Sequence, residues 1–344
     1  MKNNLIKTRF DDIDILRGLG IIIMVMGHVG FSGIFDVWIH TYHMPLFFVI
    51  SGFFFRKREN FRIKEIVIKK AKSLLIPYLF FGIFHYILWL FVFIEPEYKI
   101  WEPIIRLFSF NTVHLPIAGA LWFFTALFFC EIFYNVIVYS VKSENMTTII
   151  LISISIIMSL ITTLTDFRLP LTLDIAASCL VYYHVGRYLR MYIDKYSVRE
   201  KCKTHYIQTF FVSVVLMAIN VIIAFCNGYV NIKMGWHAII PLTWLNAFIG
   251  IISLYLFSIF TDAKLGIIGK LIGFVGKNSI VYLCLNQLVI MILTMFIGKP
   301  IGNMGQITLS GLLISLFVSL LTMLILSLFV FVFNKTFLKF VIGK

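Results

Sequence analysis

The chain has 344 residues, 60% of them hydrophobic and 13% charged, with a mean hydropathy of +0.95. Soluble domains carry about a quarter charged residues. Repeated apolar runs of about 20 residues therefore predict an all-α polytopic membrane protein rather than a soluble globular domain.

About ten transmembrane helices are predicted, near residues 13–31, 37–55, 73–94, 117–141, 147–164, 171–190, 206–226, 237–260, 279–297 and 307–333. No connecting stretch is long enough to fold alone, so residues 1–344 read as one membrane domain. The formal charge of +14 invites nucleic acid as a partner, but its distribution argues for topology instead. With both termini on one side, only Lys99, Arg106, Arg168, Lys233 and Lys299 fall on the opposite face, and Arg17 lies inside a span. That bias places both termini in the cytoplasm of a multi-pass cell-membrane protein, with the lipid bilayer as its first partner and no nucleic acid. The five cysteines are scattered without a CxxC pair, and no metal site is expected.

The first span is the anomaly. Asp12 to His28 is an apolar helix-forming run holding three groups that hydrocarbon rejects: Asp14, Arg17 and His28. At about 100° per residue all three share one face. Arg17 and His28 are separated by roughly 16 Å along the axis. Ionisable residues inside a span are functional candidates by default. Asp14 and Arg17 also fit an i,i+3 ion pair that only anchors the helix at the interface. His28 also fits a core histidine bonded to a neighbouring helix. Gly20 and Gly27 read as packing positions that let another helix approach. The run is not a cleavable signal peptide, because it holds charges and no small-residue cleavage site follows.

The second span opens with Trp38-Ile-His-Thr-Tyr-His-Met-Pro. A tight hairpin brings His40 and His43 to the depth of His28, and Pro45 favours a kink. His43 reads as a base, an orienting partner or an interfacial residue, and His40 as interfacial. The loop 56–72 is the most basic on the terminal face. Its Lys69 and Lys72 suit either lipid contact or the phosphates of a cytosolic cofactor.

The order of motifs carries a resemblance. Asp-Ile-Leu-Arg-Gly, the Arg17 to His28 spacing, Tyr-His-Met-Pro-Leu-Phe-Phe-Val-Ile-Ser-Gly, and basic residues before Ile-Pro-Tyr resemble the acyltransferase 3 family of integral membrane O-acyltransferases. Leu121-Trp-Phe-Phe-Thr-Ala-Leu, Tyr183-His-Val-Gly-Arg-Tyr-Leu and Ile268 to Asn286 are similar to it as well. The resemblance implies a ten-helix fold, acyl-coenzyme A as donor and transfer to an acceptor hydroxyl. It makes His28 essential and Arg17 its partner. Many relatives have Arg where this chain has Lys72 and Ser73. Many also have His in the Gly-Lys-Asn-Ser helix where this chain reads Leu285-Asn286-Gln287. That polar pair is similar to the fucose 4-O-acetylase-like subgroup.

Further along, Glu95, Glu97, Trp101, Glu102 and His114 lie in a long outer loop, where they suit sugar binding or plain solvation. Glu131 stands mid-span and must be paired or protonated, for function or as a structural hydrogen bond. Trp122 reads as an interfacial anchor before a sugar platform. Asp166 and Arg168 read as an exposed pair, and Asp174 as a residue entering a span. Arg187 and Arg190 open a second basic loop that either completes a coenzyme A phosphate site or serves topology. Asn246 reads as a helix–helix hydrogen bonder.

The expected machinery is therefore His28, Arg17, His43, Asp14 and Glu131 for catalysis, with Arg17, Lys69, Lys72 and Arg187 for the donor, most simply acetyl-coenzyme A. A neutral imidazole suits removal of a hydroxyl proton, or takes the acyl group itself as a nucleophile. The acceptor is expected to be a cell-surface or lipid-linked glycan. The competing class is a glycan or lipid transporter. Transporters show interrupted helices in matching halves, and no second Asp-x-x-Arg…His segment occurs in the C-terminal half.

Overall fold

The computed structural model describes residues 10–57, 59, 61–92, 99–109, 118–165, 167–297 and 308–342, and helices are the regular elements among them. Seven helices are long and apolar enough to cross a membrane. The first is Ile63–Phe91, formed by α4 (Ile63–Lys70), a π-turn at Ala71–Leu75 and α5 (Ile76–Val92). A short α6 (Glu102–Phe108) precedes the next three, α7 (Trp122–Ser140), α8 (Glu144–Leu164) and α12 (Tyr206–Asn227). The last three are α13 (Ile240–Lys264), α15 (Ser279–Ile297) and α16 (Leu309–Lys335). The π-turn has a local cause. Pro77 cannot donate to the carbonyl four residues back, and the widened turn covers those positions.

The remaining three predicted spans are charged or broken. Helix α1 (Asp11–Val29) carries Asp11, Asp12, Asp14 and Arg17. The second segment is divided into α2 (Gly33–His40) and α3 (His43–Phe53), with the break at Thr41 and Tyr42. That is where the Pro45 ring meets the carbonyl of residue i−4. The sixth is divided at Cys179 into α9 (Leu173–Ser178) and α10 (Leu180–Lys195), the latter ending in Arg187, Arg190, Asp194 and Lys195.

Burial separates an inner set from an outer ring. Windows in α7, α13 and α15 bury 56–61% of their residues inside the protein, whereas α8, α12, α16 and Ile63–Phe91 bury 22–33% and turn apolar side chains outward. Helix α1 is the axis, packed by α2, α3, α13, α15, α16 and the twelve-residue α14 (Gly266–Lys277). No predicted span covers 266–277, whose four glycines weaken a helix. Packing overrides that weakness. A Cβ on Gly276 would stand 1.8 Å from the Asp14 carbonyl oxygen, and one on Gly18 would stand 2.0 Å from that of Ile272, so α1 and α14 touch backbone to backbone. The expected packing glycines also have neighbours: Gly20 faces Leu46, and Gly27 faces Ile39.

The N-terminal turn of α1 is tied down by a buried ion pair. Asp12 accepts from Arg199 of α11 (Val198–Thr204) at 2.6 Å and from the Tyr255 hydroxyl at 3.2 Å. Gly276→Val is expected to lower the thermal midpoint of the detergent-solubilised protein, because overpacking of this kind costs about 1–3 kcal/mol. A wild-type midpoint would contradict the close α1–α14 contact.

Candidate active site

Helix α1 delivers His28 to a cavity of about 110 Å³ whose wall also includes His40, His43, Trp122, Lys233 and Gln287. The ring is oriented by α15. His28 Nδ1 lies 2.5 Å from Asn286 Oδ1, while Asn286 Nδ2 donates to the carbonyls of Tyr282 and Leu283 at 2.9 and 2.7 Å. Those two bonds settle which end of the amide faces the histidine. An acceptor oxygen there requires Nδ1–H, so a neutral His28 keeps its lone pair on Nε2.

The other two imidazoles are held the same way. His40 Nδ1 donates to the Asp36 carbonyl at 2.8 Å, with the Asp36 carboxylate at 3.1 Å. His43 Nδ1 donates at 2.7 Å to the Ile39 carbonyl, at the break between α2 and α3. The two rings meet edge to face at 4.9 Å. Breaking the second segment thus supplies the acceptor that orients His43.

A second cavity, of about 450 Å³, lies at the opposite ends of α3 and α7, walled by Ser51, Arg56, Lys57, Lys69, Lys70 and Asn135 among others. Helix α7 runs from Trp122 in one wall to Asn135 in the other, about 20 Å at 1.5 Å per residue. Between them on α3, Phe47 and Phe48 are buried and pack against the Phe123 ring. Arg17 sits at this second end. Its guanidinium lies 5.9 Å from the ring centre of Phe54, which lines the cavity, and 3.7 Å from Asp14.

The candidates from sequence therefore divide. His28 and His43 share one cavity. Asp14 and Arg17 are together at the far end of α1. Glu131 is not brought to His28: it is buried, accepts from Lys70 Nζ at 2.7 Å, and leaves Oε2 without a partner among the described residues. Lys69 lines the basic cavity, whereas Lys72 is exposed and does not. Arg187 donates to Glu144 at 2.9 Å and lies over the Phe55 ring at the cavity's edge.

Several outer residues differ from their reading. Trp122 is buried in the His28 cavity rather than standing at an interface. Arg168 pairs with the fully buried Asp174, and Asp166, Glu95, Glu97 and His114 lie outside the described residues. Trp101 is exposed, and Glu102 pairs with Arg106 one turn along α6. Asn246 is the helix–helix bonder expected, accepting from Asn220 at 2.7 Å. Sequence reasoning missed Asn286, Gln287, Lys233 and Lys70 as site residues. The departure at Leu285-Asn286-Gln287 was the one signal for the first two. Among the described residues no group of three His, Cys, Asp or Glu side chains is placed to hold a metal.

Helices that cross a bilayer, with an oriented imidazole in one buried cavity and a basic cavity at the other end, define a multi-pass membrane protein with the parts for group transfer. The chain belongs to the acyltransferase 3 family: the family's acyltransferase domain matches residues 10–331. The protein is thus a membrane acyltransferase. None of the curated proteins and none of the solved structures matches it.

Two outcomes check the geometry. Asn286→Leu removes the acceptor that orients His28 and is expected to lower kcat about tenfold, the worth of roughly 1.4 kcal/mol of one hydrogen bond. The KM for acyl donor should hold, and histidine nitrogen NMR should show the His28 tautomer redistributed. An unaltered tautomer ratio would refute the orienting role. Lys70→Ala strands the buried Glu131 carboxylate and is expected to destabilise the protein by about 3–5 kcal/mol, read as a fall in thermal midpoint that Glu131→Gln in the same chain partly restores.

Proposed function

We propose that this acyltransferase moves an acetyl group from cytosolic acetyl-coenzyme A to a hydroxyl of a cell-surface or lipid-linked glycan. In this reading α1, the α2–α3 pair and the α9–α10 pair also cross the cell membrane. They bring the spans to about ten, with both termini in the cytoplasm. The fucose 4-O-acetylase-like subgroup is part of the same proposal, resting on Asn286 and Gln287.

The observation that carries it is the orientation of His28. With Nδ1–H engaged by Asn286, Nε2 is the basic atom available to an acceptor hydroxyl. Nε2 removes the hydroxyl proton as the oxygen attacks the thioester carbonyl. The tetrahedral oxyanion then collapses, expelling the coenzyme A thiolate, which takes the proton back from His28. His43, with its own Nδ1 committed to Ile39, keeps a second neutral imidazole at the same depth.

Donor binding is supported by the basic cavity. Arg56, Lys57, Lys69 and Lys70 line it, a donor set suited to phosphates. Arg17 lies beside it, and Arg187 borders it through Phe55. A nucleotide held there leaves the thioester about 16 Å to travel along α1 from Arg17 to His28, on the order of an extended pantetheine arm. That course passes the level of Phe47 and Phe48, whose rings must give way to the arm. Trp122 offers a flat apolar face to a sugar ring in the His28 cavity.

Loss of a general base costs about 10²–10⁴ in rate. His28→Ala is therefore expected to insert and purify normally yet lose transfer of label from radiolabelled acetyl-coenzyme A to glycan. Wild-type transfer in that variant would overturn the proposal. Glycan flux without label transfer in the unmodified protein would assign it to transport instead.

A further inference from the structure

The face of the protein that holds His28 is poor in cations. Lys99, Arg106, Arg168, Lys233 and Lys299 are its basic residues in the sequence. Arg106 is paired with Glu102, and Arg168 with Asp174. Lys233 differs from both. Its side chain lines the His28 cavity and has no carboxylate partner among the described residues. Among the described residues no acidic side chain lines that cavity, and the carboxylate of Asp36 is engaged by His40.

Lys233 is placed there by construction. It lies in a tight loop, Ile232–Met234, clipped by the Asn231–Trp236 bridge and by Asn231 Oδ1 accepting from the Met234 N–H at 3.2 Å. Arg168 Nη2 donates to the Lys233 carbonyl at 3.1 Å, and Arg168 is itself held by the buried Asp174. Thr163 of α8 donates to the Gly235 carbonyl, at 3.3 Å. Burial lowers the pKa of the Lys233 ammonium from its ordinary range. A half-buried cation without an internal counter-charge is costly unless something supplies one.

Gln287, across the cavity on α15, has no hydrogen-bond partner among the described residues either. A hydroxyl presented to His28 Nε2 would thus share the cavity with an ammonium and an amide that have no hydrogen-bond or ion-pair partner among the described residues. We infer that the acceptor carries an anionic group, a carboxylate or a phosphate, close to the hydroxyl that is acylated, and that Lys233 binds it with Gln287 beside it. This rests on the acyl-transfer reading for the word acceptor, but the binding site can be tested without any acyl donor.

The test follows the rate at which diethylpyrocarbonate modifies His28 in the purified full-length protein, measured by mass spectrometry of the peptide that carries it. Methyl glucoside, methyl glucuronide and glucose 6-phosphate serve as protecting ligands. One anionic sugar is expected to protect His28 at concentrations at least tenfold below those needed with the neutral glucoside. Which anion does so tells a sugar carboxylate from a phosphate. Lys233→Gln should abolish the difference and leave His28 reactive. Equal protection by all three sugars, no protection by any, or a preference that survives Lys233→Gln would overturn the inference. Because no acyl donor is present, failure here is separate from failure of His28→Ala to abolish transfer.

Discussion

A helix surrounded by hydrocarbon has no water with which to satisfy a charge, so a helix that carries Asp14, Arg17 and His28 must be enclosed by other helices. That requirement puts α1 at the axis of this protein, and much of the remaining architecture serves it. The glycines of α14 let its backbone close on the first half of α1, next to Asp14 and Gly18. Helix α15 presents Asn286 to the second half. The apolar helices α8, α12 and α16 then form the surface that lipid touches. Helix α1, with its charges, is poorly suited to cross a membrane alone, and its central place encloses them.

Broken helices do the remaining work. Where a helix breaks, carbonyls that lose their usual backbone donor become available to side chains. The interruption at Thr41 and Tyr42, set by Pro45, gives His43 the Ile39 carbonyl. The π-turn before Pro77 follows Lys70, whose ammonium reaches the buried Glu131. The division at Cys179 lets α10 lie against α3, with Gly52 and Gly186 each meeting the opposing backbone. The first two departures from ideal helix geometry each free or place one polar group beside a cavity, and the third permits close packing.

The two cavities differ in chemistry as well as position. One is walled by imidazoles, an indole and one lysine, the other by Lys57, Lys69, Lys70 and Arg56 among others. Helices α1, α3 and α7 contribute to both ends and hold them a fixed distance apart. Buried ion pairs brace the frame, Asp12 with Arg199 at one end and Asp174 with Arg168 at the other. Such pairs add little net stability, because desolvation offsets attraction, but breaking one is costly. They are better suited to fixing where a loop sits than to holding a fold together.

Sequence alone determined the class and the central feature. Apolar runs of spanning length specify an all-helical membrane protein, and helical periodicity places Asp14, Arg17 and His28 on one stripe, since both depend on residues within the same segment. The short loop after α1 likewise made His43 legible as company for His28. Helix α14 was not legible, because glycine's weak propensity was outweighed by contact with α1. The partners of the site were not legible either. Asn286 is 258 residues from His28, and asparagine in a span is ordinarily a helix–helix bonder. Trp122 has the composition of an interfacial anchor, and Lys233 that of a loop lysine. Only tertiary structure decided that these three meet His28 and that Glu131 meets Lys70 instead. Periodicity describes one helix about its own axis, whereas a site is made where faces of several helices close on one another.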